Sequence, residues 1–202
     1  MKHVVVFAHP NKDSFTASVT NAYAEAAASL GHSVVVRDLY RMDFDPRLSA
    51  CELPFSKHFA PPIDVMAERN VIKDANVYAL VYPLWLDAPP AMLKGYLERV
   101  FGYGFAYSNN AEPLLKGRKL ITFSSSGAPL RWVRQTGDFE ALQKLFDEHF
   151  AEVCGLNLID HMHSGGIVPG ISEAFVASHL NDVRQRVKQH FFQADAPKQA
   201  LK

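Results

Sequence analysis

Cysteine is nearly absent from this chain: Cys51 and Cys154 are the two among 202 residues. Their number and separation exclude a disulfide framework and a CxxC redox or zinc centre, and suit a reducing compartment. Long apolar runs are missing too, since none approaches the ~20 residues that a membrane-spanning helix requires. The amino terminus enters a strand-like segment at 3–8 without a cleavage-site pattern. Neither sign of charge is in excess, because 21 lysines and arginines balance 21 acids. That balance removes the electrostatic footprint of a nucleic-acid or anionic-membrane binder. Glycine-rich phosphate motifs are also lacking. Neither GxGxxG nor GxxxxGK[ST] occurs, which excludes the usual dinucleotide and nucleoside-triphosphate cradles. The expectation is a cytoplasmic globule with no membrane insertion and no nucleic-acid partner.

What the chain does contain is a rhythm of short apolar runs and helical patterns. Segments 4–8, 34–36, 77–82, 120–123 and 156–160 read as strands, the first and third apolar enough to be buried on both faces. Between the first two, Phe15, Val19, Ala22, Tyr23, Ala26 and Leu30 recur at helical spacing, and Gly31 suits the stop. Further helices are predicted over about 63–74, 90–101, 139–153 and 172–192. Strands alternating with helices imply parallel pairing, right-handed crossovers and helices on both sheet faces. The expected fold class is α/β: a flavodoxin-like three-layer sandwich with a five-stranded parallel sheet in the order 2-1-3-4-5. One domain is expected over 1–192, with 193–202 a loose C-terminal tail. Residues 39–62 break the rhythm with prolines and aromatics, and a loop this long is functional or a plain surface excursion. Phe55 and Phe59 argue for docking.

Wound in this order, the loops after strands one, three and four open on one sheet edge, where open α/β sheets bind ligands. The first, 9–16, leads into a helix N-terminus whose free amides favour a phosphate, with Asp13 or Ser14 as N-cap. The second, YPLWLDAPPAMLKGYLERVFGYGFAY at 82–107, begins where Pro83 stops a strand. Its rigid aromatic start suits a wall for a flat cofactor, or a strand–helix join with Trp85 packed in the core. The third, SSSGAP at 124–129, sets small residues where backbone can approach a ligand closely. GxSxG is absent, which argues against a serine nucleophile. His161 and His163 form an HxH pair near the end of strand five, expected to face apart; no cysteine or carboxylate set completes a site, so no metal is expected. His58 and His149 read as surface or packing residues, and Arg184, Arg186 and Lys188 as the solvated face of the last helix.

Taken together, AHPNKDSFTAS at 8–18, DLY at 38–40, the 82–107 segment and the small-residue loop at 124–127 resemble the NAD(P)H:quinone oxidoreductase family. This flavodoxin-like group includes DT-diaphorase and bacterial quinone reductases. The specific part is PL, PAxLKG, ERVF and GFAY in that order within 82–107. The resemblance implies a bound flavin, FAD in preference to FMN, that takes hydride from NADPH or NADH and passes it to a quinone or similar acceptor in a ping-pong cycle. It also implies a homodimer. His9, Ser14, Phe15 and Thr16 match the loop that holds the flavin's phosphate and ribityl chain. Pro83, Leu84, Trp85 and Leu86 match the turn that wraps the isoalloxazine, and Ser124, Ser125, Ser126 and Gly127 the loop along its other edge. Backbone amides near 84–86 and 124–127 would stabilise charge on the reduced ring. Tyr107 matches an aromatic at the substrate mouth, and Asp87 adds a negative charge beside it.

The departures carry weight as well. Family members place an aromatic where Leu86 stands, and the tyrosine and histidine that assist hydride transfer in DT-diaphorase fall near Leu130 and Thr136. Neither residue has that chemistry, so no catalytic side chain is assigned. Arg131, Trp132 and Arg134 sit nearby and read as a surface loop. The reading from another class is a non-enzymatic flavoprotein, either an electron carrier or a regulatory subunit of a membrane transporter. The neutral charge balance speaks against the carrier.

Overall fold

The computed structural model describes residues 1–110 and 112–192; the tail expected at 193–202 lies outside the described residues. Five parallel strands form one sheet in the order β2-β1-β3-β4-β5, as the element order predicts. They are β1 (Lys2–Phe7), β2 (Ser33–Asp38), β3 (Val77–Pro83), β4 (Lys119–Ser125) and β5 (Asn157–Ser164). Every residue of β3 is buried, as befits the middle strand of a sheet covered on both faces. One face carries Val4, Leu80 and Leu120 against Ile72 of α2 (Ile63–Ile72), Leu93 of α3 (Ala91–Val100) and Ala151. The other carries Val5, Val81 and Ile121 against α1 (Phe15–Ser29) and α7 (Glu173–Phe191). Each fully buried aliphatic or aromatic chain contributes about 1.5–3 kcal/mol, so the sheet is the rigid frame on which the loops stand.

Two elements differ from the sequence expectation. The helix expected over 139–153 runs through α5 (Asp138–Leu142), a π-helical turn (Gln143–Glu148) and α6 (His149–Cys154), and a short helix that the sequence pattern does not predict, α4 (Leu130–Gln135), precedes it. Pro129 starts α4 and Gly137, at φ 81°, separates α4 from α5. Strand β5 begins at Asn157 and runs four residues beyond Asp160, through polar residues that hydropathy alone would end. A bulge opposite Leu120 and Ile121 shifts its register, so that His161 pairs with Thr122 and His163 with Ser124. The two histidines therefore share the face of Thr122 and Ser124, correcting the expectation that they face apart. Residues two apart on a strand point to the same side.

The 39–62 excursion is docked on its own domain. Leu39 and Phe44 are buried, and the nearly buried Arg99 guanidinium of α3 holds the segment by donating to Asp45 O (2.6 Å), Glu52 Oε1 (2.9 Å) and Asp64 Oδ2 (2.9 Å). Phe59 packs edge-on against Tyr103 with ring centroids 5.0 Å apart, whereas Phe55 stays 87% exposed. Close approach needs Gly95: a Cβ there would stand 2.5 Å from the Pro46 Cβ. Among the described residues no helix is long and apolar enough to cross a membrane.

Candidate functional site

Strand β1 ends at Phe7 beside Val81, two residues before β3 and β4 end together at Pro83 and Ser125, so their exit loops meet at one edge. In the first loop Ser14 has extended backbone and its Oγ accepts from the Ala17 amide at 3.1 Å, capping α1. The Phe15 and Thr16 amides have no hydrogen-bond partner among the described residues, the expected state of a helix's first turn. His9 Nδ1 lies 3.0 Å from the Asn11 amide nitrogen and 3.1 Å from the Asn11 carbonyl oxygen, so the ring is tied to its own loop in either tautomer. Burial holds the His9 imidazole below its ordinary pKa, and the Arg41 charge acts in the same direction. Arg41 donates to His9 O (2.9 Å) and Pro10 O (2.7 Å) and so fixes this loop.

The second loop folds back at once. The Leu84 amide donates to Ser125 O at 2.6 Å, tying the loop to β4. Trp85 and Ala88 exchange two backbone bonds, at 3.0 and 3.2 Å, around Leu86 (φ 53°) and Asp87 (φ 56°). Positive φ at both central residues is the geometry of a type I′ turn, which Asn-Gly adopts most readily. A leucine in that conformation is strained by about 1–2 kcal/mol. Trp85 is 44% exposed and its ring lies 5.8 Å from His9, so it stands at the cleft and not in the core.

The third loop is laced to the exit of β5. The Ser126 amide donates to Ser164 O (3.0 Å), the Ile167 amide to Ser126 O (2.9 Å) and the Gly166 amide to Ala128 O (2.9 Å). A cavity of about 170 Å³ opens between the three loops, lined by His9, Ser14, Phe15, Thr16, Pro83, Leu84, Trp85, Ser125, Ser126, Gly127 and Ile167. Leu86 and Asp87 are exposed beside the cavity and do not line it. Tyr107 lines a separate cavity of about 270 Å³ with Arg69, Arg99 and Tyr103. Ser124 turns inward instead: its Oγ is hydrogen-bonded to His161 Nε2 (2.6 Å) and His163 Nδ1 (2.8 Å). Arg131, Trp132 and Arg134 are exposed. Among the described residues, no group of three or more His, Cys, Asp and Glu side chains is placed to hold a metal.

Sequence reasoning missed Arg41, whose partners are carbonyl oxygens, and Asp147, whose Oδ2 meets His161 Nδ1 at 2.5 Å in the interior. Ile167 follows Gly165 and Gly166, a pair whose loop character is a usable signal for a pocket border.

Burial, His161 and Arg134 push the His163 imidazole down to about 4; burial and His32 do the same for His3, which is bonded to Tyr23 and His32. Both folded values lie below the ~6.5 of an unfolded histidine, so the unfolded chain takes up protons first as pH falls. Their contribution is complete above about pH 6.5 and is lost on descending towards 4. Discounted for residual solvent contact, the loss between pH 7.5 and 4.5 is expected to be roughly 2–4 kcal/mol. Urea midpoints across that range test it, and a flat profile would show that neither histidine is held neutral by the fold.

The sequence profile of the flavodoxin-like fold matches residues 1–187. The chain belongs to the flavodoxin-like fold family. Within that family it is 35% identical over 171 residues to a Haemophilus influenzae protein named "uncharacterized NAD(P)H oxidoreductase", covering 83% of this chain and 85% of the relative. It is 31% identical over 184 residues to Escherichia coli YcaK, named likewise, covering 89% and 83%. Among solved structures, the NAD(P)H:quinone oxidoreductase of Methanothermobacter marburgensis superposes with a TM-score of 0.83 at 28% identity, over 96% of this chain and 98% of that one. The flavodoxin-like chain thus stands among NAD(P)H oxidoreductases, as the motifs at 8–18 and 82–107 implied.

Proposed function

We propose that the protein is a flavin-dependent NAD(P)H oxidoreductase that reduces a quinone or a similar small acceptor by a ping-pong cycle. The observation that carries this reading is the convergence of three unlike surfaces on one cleft. Partnerless amides of the α1 first turn meet the Pro83–Trp85 wall and the polar Ser125–Gly127 loop. That donor set fits a flat heteroaromatic ring with an anionic tail. The tail would be held by the Phe15 and Thr16 amides and the Thr16 hydroxyl, and the ring by Pro83, Leu84 and Trp85. A bound flavin supplies the hydride chemistry, taking two electrons from the nicotinamide and giving them to the acceptor.

The chain's own part is orientation and electrostatics. Of the amides near the ring, those of Leu84, Trp85 and Ser126 are engaged by Ser125, Ala88 and Ser164 oxygens. The Leu86 and Gly127 amides have no partner among the described residues and are donors left for developing negative charge. FAD is preferred to FMN, and a homodimer belongs to the same proposal: Leu86 is wholly exposed beside the cleft, where a second copy would cover it.

The visible spectrum after reconstitution with FAD or FMN, before and after anaerobic NADPH or NADH, tests this reading. Flavin bands that bleach with a nicotinamide are expected, and the flavin retained more tightly is the one that serves. Flavin that binds without bleaching would favour a carrier or regulatory subunit. No uptake of either flavin would sink the proposal.

A further inference from the structure

Five side chains form an unbroken hydrogen-bonded row from the interior to the cleft. Asp147 Oδ2 meets His161 Nδ1 at 2.5 Å, His161 Nε2 meets Ser124 Oγ at 2.6 Å, Ser124 Oγ meets His163 Nδ1 at 2.8 Å and His163 Nε2 meets Ser126 Oγ at 2.9 Å. The Asp147 and His161 side chains are sealed from solvent, while Ser126 lines the cleft. Asp147 rides on the π-helical turn, a rare distortion that recurs at functional sites.

We propose that this row is a proton relay, which stores one proton at the Asp147–His161 pair and exchanges it with the cleft through Ser126 Oγ. The use of that proton rests on the oxidoreductase reading above, because a quinone becomes a hydroquinone by taking one hydride and one proton.

The hydrogens balance without moving a heavy atom. With Asp147 ionised and both histidines neutral, every bond points inward: Ser126 Oγ–H donates to His163 Nε2, His163 Nδ1–H to Ser124 Oγ, Ser124 Oγ–H to His161 Nε2 and His161 Nδ1–H to Asp147. Suppose Ser126 Oγ accepts a proton from the cleft. Its own hydrogen passes to His163 Nε2, the Nδ1 hydrogen of His163 passes to Ser124, and the Ser124 hydrogen passes to His161 Nε2. His161 is then an imidazolium against the Asp147 carboxylate, and the Ser126 hydroxyl donates to Ala128 O at 3.1 Å. The row has gained one proton and gone from net negative to neutral. The reverse sequence returns the proton to the cleft.

The surroundings suit a relay. Thr122 Oγ1 donates to Asp147 Oδ1 at 3.0 Å and steadies the carboxylate. The Phe139 ring packs on both imidazoles, with centroids 4.9 and 5.8 Å away. From β3 the buried Tyr82 hydroxyl has no hydrogen-bond partner among the described residues, and burial together with the Asp147 charge keeps it protonated. From α4 the Arg134 charge adds to burial and His161 in holding His163 neutral, so that His163 passes a proton on and does not keep it.

The relay makes a tautomer prediction that static packing does not. In the protein labelled with ¹⁵N-histidine and free of flavin, His163 is expected to carry its hydrogen on Nδ1 at neutral pH. When His161 becomes doubly protonated on acidification, the His163 hydrogen should move to Nε2 in the same step. Ser124→Ala should uncouple the two, leaving His161 to titrate with no change at His163. Ser126→Ala, which cuts the row at the cleft, should keep the switch but slow acceptor reduction about tenfold or more per bound flavin, within the range for one positioned proton donor. A His163 tautomer indifferent to the state of His161, or a Ser124→Ala protein that titrates like the parent, would overturn the relay. Failure to take up flavin with the switch intact would instead count against the oxidoreductase reading alone.

Discussion

Glu52→Ala is expected to cost about 3–5 kcal/mol of stability, because it leaves a buried guanidinium without one of its two carboxylates. Arg99 is 5% exposed, and its Nε contacts Glu52 Oε1 and Oε2 at 2.9 and 3.2 Å. Glu52 also ties down its own turn, since its Oε2 accepts from the Ser49 amide (2.9 Å) and hydroxyl (2.7 Å), closing the turn at Ala50–Glu52. Asp64, the other carboxylate on Arg99, is half exposed and cannot replace the lost partner in the interior. The damage should therefore begin locally. Cleavage by a protease within 39–62 is expected to quicken before the sheet loses its urea resistance. A midpoint change equivalent to less than about 1 kcal/mol would mean that solvent reaches Arg99 freely, which its burial contradicts. Arg47→Ala, at the exposed Asp45–Arg47 pair in the same segment, is the control and should shift the midpoint little.

Gly165→Ala is expected to weaken flavin binding about tenfold or more while leaving the sheet intact. A Cβ at Gly165 would collide with the Leu130 amide nitrogen and stand 2.8 Å from both Ala128 O and the Leu130 Cα. These are backbone atoms, so no side-chain rotation relieves the clash. The Ser125–Ala128 loop must shift bodily, at a strain of about 1–3 kcal/mol. That loop forms one wall of the cleft and carries the Gly127 amide. Fluorescence titration with FAD and FMN measures the loss. Unchanged affinity would remove the 124–128 loop from the binding surface, whatever the enzyme's activity.

The strand order could be read before folding because β1 and β3 are continuous apolar runs, and alternation with helices leaves little other topology. The cleft could be read for the same reason: once the order is known, loops 9–16, 83–88 and 124–128 must share an edge. What escaped was written in pairs. Asp147 and His161 are polar residues inside the protein, and each is tolerable only because the other is there. Hydropathy scores residues singly, so it ends β5 at Asp160 and gives no sign of the π-helical turn inside the 139–153 helix. Arg41 escaped because it binds main-chain oxygens of His9 and Pro10, which carry no residue type to recognise. Sequence alone groups Ser124 with its cleft-lining neighbours, but alternate strand residues face opposite ways, and the register with β5 turns Ser124 to the histidines.

The turn at Leu86 and Asp87 bears on any attempt to harden this protein. Consensus redesign would write Asn-Gly at these two positions and gain stability, since that pair adopts the conformation at ease. The native chain instead keeps a bulky apolar residue and an acid there, side by side, with the leucine entirely in solvent. Nothing within the described fold packs on that leucine, so the turn's strain is not repaid by burial of its side chain. A thermostabilised version built by idealising turns would therefore act first on the rim of its own cleft, beside the wall that Trp85 forms.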